Sequence, residues 1–219
     1  MKLTNFDAAG LEMARSVFNL QEVELMLGWI PPLDGAAGTR NLLEISQCRH
    51  LAADPRVKSL VEQTIGADSI PIRAILFDKS PNANWNLGWH QDRKIAVRQR
   101  IEAEGFDFWS EKEGVVHCQP PSWVLEAGVA MRIHLDSCEM NNGPLRAIPG
   151  SHLGGLRQAP TEAEIANQVT CTAEAGDILL MKPLVFHASS KADTPCHRRV
   201  IHIEFCAAKL PKGLEWAYS

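Results

Sequence analysis

The 219-residue sequence predicts an α+β chain with a mainly-β core, a β-sandwich or jelly roll, and helices packed on its outside. Two observations predict this class. Residues 1–69 carry apolar side chains at helical spacing, whereas residues 70–207 hold many short apolar runs separated by turns. Prolines and glycines punctuate the second part. The length suits a single domain over residues 1–219.

Composition excludes several classes of function. Hydrophobic residues make up 45% of the chain and charged residues 22%, with a net charge of −4, so no basic field favours nucleic acid. No apolar run approaches the ~20 residues that would span a bilayer, and we expect no membrane association. The six cysteines are scattered without a C-x-x-C pair, which predicts a reducing, cytoplasmic environment.

The N-terminal part, residues 1–69, is predicted to be helical. Apolar spacing predicts four helices, over residues 8–18, 21–27, 46–53 and 55–65. Asp7 can cap the first helix, Pro55 occupies a favoured first-turn position, and Gly66 ends the last helix. These helices are expected to pack against the outside of a sheet.

The following part, residues 70–207, is predicted to form the β core. Strands are expected at 70–77, 90–97, 130–136, 145–148, 169–173, 177–182 and 199–207, with a helix or loop at 161–168. Between them, residues 93–121 are charged and irregular, which is typical of a lid or insertion loop. In residues 130–136, Met131 and Ile133 share one face, and Arg132 and His134 share the other.

A histidine and a carboxylate two residues apart, His90 and Asp92, are the first candidate metal ligands. In a strand their side chains point to the same side, giving two of the three ligands in the facial triad of non-haem Fe(II) oxygenases. A hydrogen-bonded buried His–Asp pair is the alternative interpretation. His134 and Asp136 form a second H-x-D pair, which remains a competing metal site.

A third ligand candidate, His187, follows an apolar strand and the break at Pro183. Eleven residues later Arg198 opens the last strand, which we expect to pair with the strand of His187. A 2-oxoacid bound to iron would supply electrons for O2 activation, and Arg198 would hold its distal carboxylate with a planar fork. Ser189 can donate a second hydrogen bond there. Arg199 is the alternative to Arg198, and a plain surface cation is the alternative role.

Several motifs occur in a characteristic order: Trp89-His90-Gln91-Asp92, Asn142-Gly143-Pro144, Ile148-Pro149-Gly150-Ser151-His152, Gly176-Asp177, His187-Ala188-Ser189 and Arg198. Over residues 70–207 this set resembles the phytanoyl-CoA dioxygenase family of Fe(II)/2-oxoglutarate-dependent oxygenases. The resemblance implies a double-stranded β-helix, with Fe(II), 2-oxoglutarate and O2 as cofactors. It implies that His90, Asp92 and His187 bind iron, and that Arg198, with Ser189 beside it, holds 2-oxoglutarate.

Two further residues are candidates for the co-substrate pocket. Arg132 lies where family members commonly place an aromatic side chain, so it is expected to bind either 2-oxoglutarate or an acidic group of the substrate. Asn84 precedes the metal-binding motif and can reach the co-substrate or product, with an Asx-turn as the alternative.

The predicted function is hydroxylation of a C–H bond in a small molecule, with release of succinate and CO2. A carboxylate at Asp92, rather than Gly or Ala, favours hydroxylation over halogenation. Basic residues in the 93–121 segment favour an anionic or zwitterionic substrate. The alternatives are a cupin-like metal-binding protein and a sensor of metal or 2-oxoglutarate, neither of which would turn over oxygen.

Overall fold

The structure, a computed structural model, describes residues 2–218. Its helices are α1 (Phe6–Ala9), α2 (Leu20–Leu27), α3 (Ser46–Ala52), α4 (Pro55–Ile65), α5 (Ser122–Glu126) and α6 (Glu162–Ala166). Its strands are β1 (Leu11–Ala14), β2 (Gly38–Thr39), β3 (Ile70–Lys79), β4 (Leu87–His90), β5 (Ile95–Val97), β6 (Asp107–Lys112), β7 (Val115–Gln119), β8 (Gly128–His134), β9 (Leu145–Ala147), β10 (Val169–Cys171), β11 (Ile178–Met181), β12 (His187–Ser189) and β13 (Arg198–Cys206).

Two antiparallel sheets form the core. The larger has the strand order β1-β11-β8-β13-β3-β2, and the smaller has the order β10-β9-β12-β4. Side chains from the two sheets meet in the interior, where Lys79 of β3 donates a hydrogen bond to Ser189 of β12. This arrangement is a jelly roll, the double-stranded β-helix, and it confirms the predicted fold class.

The outer face of the larger sheet carries the main hydrophobic core. Met131 and Ile133 of β8 pack there with Val57 and Leu60 of α4, and all four side chains are buried. The inner face of β8 carries Arg132 and His134 instead. The predicted alternation is therefore confirmed, and so is the packing of N-terminal helices on the outside of the sheet.

The helix over residues 55–65 was predicted correctly because its end signals are local. The Asp54 side chain accepts a hydrogen bond from the backbone of Arg56, Pro55 occupies the first turn, and Gly66 follows the last helical residue. Asn19 and Glu22 similarly form a capping box at the start of α2. Within residues 2–218, no helix is long and apolar enough to cross a membrane.

The predicted helix over residues 8–18 is wrong. Helix α1 ends at Ala9 because Gly10 turns into the left-handed region with φ of 74°, and β1 follows directly. Leu11 in β1 pairs with Met181 in β11, so this segment extends the edge of the larger sheet. Long-range pairing outweighed an apolar spacing that also fits a helix.

The prediction of an irregular 93–121 segment is also wrong. This part contains a third antiparallel sheet in the order β5-β7-β6. Its hairpin turns at Glu113 and Gly114, with φ values of 51° and 77°, and positive φ at both positions suits a two-residue hairpin turn. Ile95 and Cys118 contribute to a separate hydrophobic cluster beneath this sheet.

Candidate metal and co-substrate site

Three potential metal donors converge on the smaller sheet. One ligand atom from each of His90, Asp92 and His187 lies within 4.8 Å of the other two. The Nε2 atoms of His90 and His187 lie 3.9 Å and 3.7 Å from carboxylate oxygens of Asp92. The two imidazole centroids are 4.1 Å apart. The predicted trio therefore meets in space, although its residues come from distant parts of the chain.

The backbone brings these groups together in an unexpected way. His90 and His187 face each other in register on the paired strands β4 and β12. Asp92 lies beyond the end of β4, so the predicted strand over residues 90–97 is wrong. Its backbone N–H donates to the carbonyl of Pro183, 2.9 Å away, in the turn that leads into β12. This bond anchors the carboxylate beside His187.

Backbone carbonyls orient both imidazoles. Nδ1 of His90 lies 2.9 Å from the Gly88 carbonyl, and Nδ1 of His187 lies 3.0 Å from the Val185 carbonyl. A carbonyl accepts, so each Nδ1 carries the hydrogen and each Nε2 has a free lone pair. Metal-binding histidines commonly have this second hydrogen bond. Both Nε2 atoms, which point toward Asp92, are therefore prepared to bind a cation.

The charge states at neutral pH also suit a cation. Burial lowers the pKa of His187 to about 4, so the imidazole is neutral. Burial acts to raise the pKa of Asp92, but the neighbouring imidazoles of His187 and His202 outweigh it and help to lower this pKa to about 2. Two imidazoles and one carboxylate form the donor set of a 2-His-1-carboxylate iron site.

The spacing of the donors fits a small divalent ion. Ligands bound at about 2.1 Å on perpendicular axes lie about 3 Å from one another. The 3.7 Å and 3.9 Å separations are within an ångström of that value, so small side-chain movements would close the site. Side-chain exposures of 31% for His90 and 24% for Asp92 leave one side open to solvent. The residues present therefore fit an Fe(II) ion.

The competing pair, His134 and Asp136, is not arranged for metal binding. Asp136 forms a two-pronged ion pair with Arg199, at 2.7 Å and 2.8 Å, and also accepts from the Arg199 backbone. Neither residue belongs to a potential metal-binding group among the described residues. The structure also separates Arg198 from Arg199, because Arg198 is buried in the interior while Arg199 pairs on the other face.

Arg198 and Ser189 lie at one end of the interior, but not as predicted. Their strands do not pair, since β12 belongs to the smaller sheet and β13 to the larger. They meet across the barrel, where the Arg198 guanidinium and the Ser189 hydroxyl both donate to the carbonyl of Gly143. The expected neighbours therefore converge through the closure of the jelly roll rather than through adjacent strands.

Lys79 is a functional candidate that the sequence analysis missed. It is fully buried, pairs in register with Arg198, and donates to the Ser189 hydroxyl at 3.0 Å and to the Ser190 carbonyl. Burial, with the repulsion of Arg198, lowers its pKa to about 8. Lys79 follows the predicted strand over residues 70–77 and gave no local signal, because its neighbourhood depends on long-range register.

Arg132 is held by a chain of buried polar groups. Its Nη1 donates to Nδ1 of His202 at 3.3 Å, and Nε2 of His202 donates to Glu204 at 3.1 Å. Arg73 completes the chain through a two-pronged ion pair with Glu204. Sequence motifs indicate Arg132 as a site residue, but they do not indicate the buried residues that hold its side chain.

Asn84 has a structural role in the described structure. Its side-chain amide donates to the Ala192 carbonyl at 3.0 Å and accepts from the Ala192 N–H at 2.8 Å. These two bonds fasten the segment before β4 to the one after β12. A contact between Asn84 and the co-substrate stays a prediction.

His134 makes the protein sensitive to acid. Burial, with the nearby Arg132 and Arg198 guanidinium groups, lowers its pKa to about 3. In the unfolded chain the pKa is about 6.5, so between these values the unfolded state binds a proton that the folded state does not. The free energy of unfolding therefore falls as pH drops through this window.

We expect a His134→Leu variant to escape this loss. Between pH 6.5 and pH 4.5 the wild type should lose about 2–3 kcal/mol more unfolding free energy than the variant. Urea denaturation of the metal-free proteins at both pH values measures the difference. Equal losses in the two proteins would show that His134 titrates normally in the fold.

Comparisons with known proteins agree with this geometry. The sequence profile of the phytanoyl-CoA dioxygenase (PhyH) family matches residues 29–200. No curated protein sequence matches the chain significantly.

Several solved structures share the fold. HygX from Streptomyces hygroscopicus with iron bound has a TM-score of 0.66 at 18% identity, covering 92% of this chain and 84% of HygX. EctD from S. alaskensis with 2-oxoglutarate and 5-hydroxyectoine has a TM-score of 0.67 at 18% identity, covering 92% and 73%. The non-haem α-ketoglutarate-dependent epimerase SnoN from nogalamycin biosynthesis has a TM-score of 0.66 at 17% identity, covering 92% and 80%.

The family match covers most of the chain and includes every motif on which the resemblance rested. At these low identities the solved structures establish the fold, and the profile establishes the relationship. The predicted resemblance is confirmed: the chain belongs to the phytanoyl-CoA dioxygenase family.

Proposed function

We propose that the protein is an Fe(II)- and 2-oxoglutarate-dependent oxygenase that hydroxylates a C–H bond of a small molecule. The observation that carries the proposal is the convergence of His90, Asp92 and His187 with free Nε2 atoms, in the same interior as the buried Arg198. We further propose that residues 1–219 act as one such domain, with the 93–121 sheet as its lid or insertion.

Each site residue has a distinct task. His90, Asp92 and His187 would hold iron on one face and leave its opposite face open. Arg198 would neutralise the distal carboxylate of 2-oxoglutarate, and the Ser189 hydroxyl would turn from the Gly143 carbonyl to donate a hydrogen bond beside it. When bound, the iron would supply the chemistry that couples oxidation of 2-oxoglutarate by O2 to oxidation of the substrate.

Hydroxylation is favoured because Asp92 supplies a third donor to the metal, leaving no ligand position open for a halide. The balanced reaction takes the substrate C–H, O2 and 2-oxoglutarate to an alcohol, succinate and CO2. Epimerisation is a second candidate because SnoN, with the same fold, is described as an epimerase. Mass spectrometry separates the two reactions, since an alcohol gains one oxygen atom whereas an epimer keeps the mass of its substrate.

Small molecules are the proposed substrates. HygX has been crystallised with nickel, 2-oxoglutarate and hygromycin B, and EctD with 5-hydroxyectoine. Lys94 lies two residues after Asp92 and donates to the Phe108 carbonyl and the Ser110 hydroxyl of the adjoining sheet. An anionic or zwitterionic substrate fits this basic surrounding.

Succinate formation tests the proposed activity. Protein loaded with Fe(II) and incubated with 2-oxoglutarate under air is expected to form succinate slowly even without substrate, and faster with a substrate. Heat-inactivated protein and protein loaded with Zn(II) serve as controls. Tight metal binding without succinate, with or without candidate substrates, would favour a cupin-like metal-binding protein or a sensor of metal or 2-oxoglutarate.

A further inference from the structure

The interior of the jelly roll carries more positive than negative charge. Among the residues that the structure describes, its inner strand faces and the metal-binding segment hold four basic side chains and two carboxylates: Arg73, Lys79, Arg132, Arg198, Asp92 and Glu204. Iron would add two positive charges and 2-oxoglutarate two negative ones. The two cofactors together therefore leave the positive surplus unchanged.

Of these four basic side chains, Arg132 is the one that has no anionic partner. Arg73 is paired with Glu204, Arg198 is assigned to the co-substrate, and Lys79 has its pKa lowered to about 8 and two oxygen acceptors. The hydrogen-bond partner of Arg132 is an imidazole, that of His202, and not a carboxylate. Burying an unpaired charge is costly, so a ligand must supply the missing anion in the working state.

The guanidinium of Arg132 also has unused donor capacity. The residue is 7% exposed, and its Nε atom is buried without a hydrogen-bond partner. His202, backed by Glu204, fixes Nη1 and thereby limits how the planar group can turn. A buried, oriented guanidinium with a free edge is suited to a carboxylate, which can accept two parallel hydrogen bonds.

2-Oxoglutarate is not expected to bind the free edge of the Arg132 guanidinium. Arg132 pairs in register with His202, which is four residues along β13 from Arg198. The two rungs are about 13 Å apart along the strand, so the backbones of the two arginines lie at different depths of the barrel, and their guanidinium groups approach each other only closely enough to repel. One carboxylate of 2-oxoglutarate would be committed to iron and the other to Arg198, which leaves Arg132 for a different molecule.

We propose that Arg132 binds a carboxylate of the primary substrate, which would make the enzyme an oxygenase that acts on small carboxylic acids. This inference rests on the proposed oxygenase function and deepens it by naming the substrate class. His202, Glu204 and Arg73 are positioning residues in this scheme, because they orient the guanidinium without contacting the substrate.

Binding of a simple carboxylate near the metal tests the proposal without turnover. Trifluoroacetate is the probe, and the protein is loaded with paramagnetic Ni(II) and saturated with 2-oxoglutarate. We expect faster ¹⁹F relaxation than with the diamagnetic Zn(II)-loaded protein. Acetate should restore the slow relaxation at lower concentration than inorganic phosphate does, since the planar fork matches a carboxylate. Displacement by phosphate alone, or no enhancement in the wild type, would overturn the proposal.

Substitutions locate the binding group. Arg132→Met is expected to weaken trifluoroacetate binding by about tenfold or more while the Kd of 2-oxoglutarate stays within about twofold. Arg132→Lys should retain part of the affinity, and it preserves a readout if the Met variant folds poorly. Arg146→Met is the matched control, because Arg146 lies on β9 with its guanidinium over Trp89, and it should behave as wild type.

Two results would contradict the assignment to Arg132. Unchanged relaxation in both Arg132 variants would place the carboxylate elsewhere, and a 2-oxoglutarate Kd raised as strongly as that of trifluoroacetate would assign Arg132 to the co-substrate. Failure of the oxygenase function itself would be recognised separately, by the absence of succinate in the wild-type assay.

Discussion

An Asp92→Ala variant is expected to lose tight iron binding and, with it, succinate formation. The substitution removes the one carboxylate donor of the trio and leaves two imidazoles. Mutation of a residue that hydrogen-bonds to a metal ligand already lowers metal affinity by about 10–100-fold. Loss of a direct ligand should therefore lower it by more than about 100-fold. Equilibrium dialysis of the purified variant against Fe(II) under anaerobic conditions measures this loss.

The matched control is Asp136→Ala, which removes the carboxylate of the other H-x-D pair. Asp136 is engaged by Arg199, so its loss should lower stability slightly and leave iron affinity unchanged. Retention of iron by Asp92→Ala together with loss in Asp136→Ala would transfer the metal site to His134 and Asp136. Circular dichroism of both variants shows whether the fold is intact.

An Arg198→Met variant is expected to raise the Kd of 2-oxoglutarate by about 100-fold, equivalent to about 3 kcal/mol. The variant deprives the distal carboxylate of its charged partner in a buried setting where water cannot replace it. Iron binding should be unchanged, because Arg198 is not among the converging donors. Calorimetric titration of the Zn(II)-loaded protein with 2-oxoglutarate measures the change.

Arg199→Met is the control for this experiment. It removes a neighbouring guanidinium that pairs with Asp136 on the opposite face of the same strand. Its 2-oxoglutarate affinity should match that of the wild type. If Arg199→Met weakened the binding of 2-oxoglutarate and Arg198→Met did not, Arg199 rather than Arg198 would be the residue that binds the co-substrate.

The identities of the converging donors could be predicted from the sequence, whereas their geometry could not. The identities and order of His90, Asp92, His187 and Arg198 carried the family resemblance. The expectation that Asp92 shares a strand with His90 was wrong, because the strand ends and a bond to Pro183 positions the carboxylate. Such a bond joins residues 91 positions apart, and no local pattern reveals it.

Buried charges were the least predictable feature of the interior. Lys79 follows a predicted strand and Glu204 lies within one, and at both positions a charged residue is usually expected to be exposed. Their actual surroundings arise from the register of β3 against β13, which pairs Lys79 with Arg198 and Glu204 with Arg73. Register depends on the closure of the whole barrel, so these contacts become visible only in the structure.

Elements with strong end signals were predicted best. The helix over residues 55–65 has a capping aspartate, a first-turn proline and a terminal glycine, all of which act locally. The segment over residues 8–18 had only Asp7 as an end signal, and Asp7 lies inside α1 rather than at its cap. The pairing of this segment with β11 decided its conformation. In residues 93–121 the hairpin turns at Glu113 and Gly114, which is a weaker signal than Asn-Gly.

Anomalous diffraction at the iron edge, from crystals grown anaerobically with Fe(II) and 2-oxoglutarate, tests the proposed iron site most directly. One strong peak is expected about 2.1 Å from Nε2 of His90, Nε2 of His187 and a carboxylate oxygen of Asp92. A peak at His134 and Asp136, or no peak between the two imidazoles, would contradict the proposed site and the oxygenase function built on it.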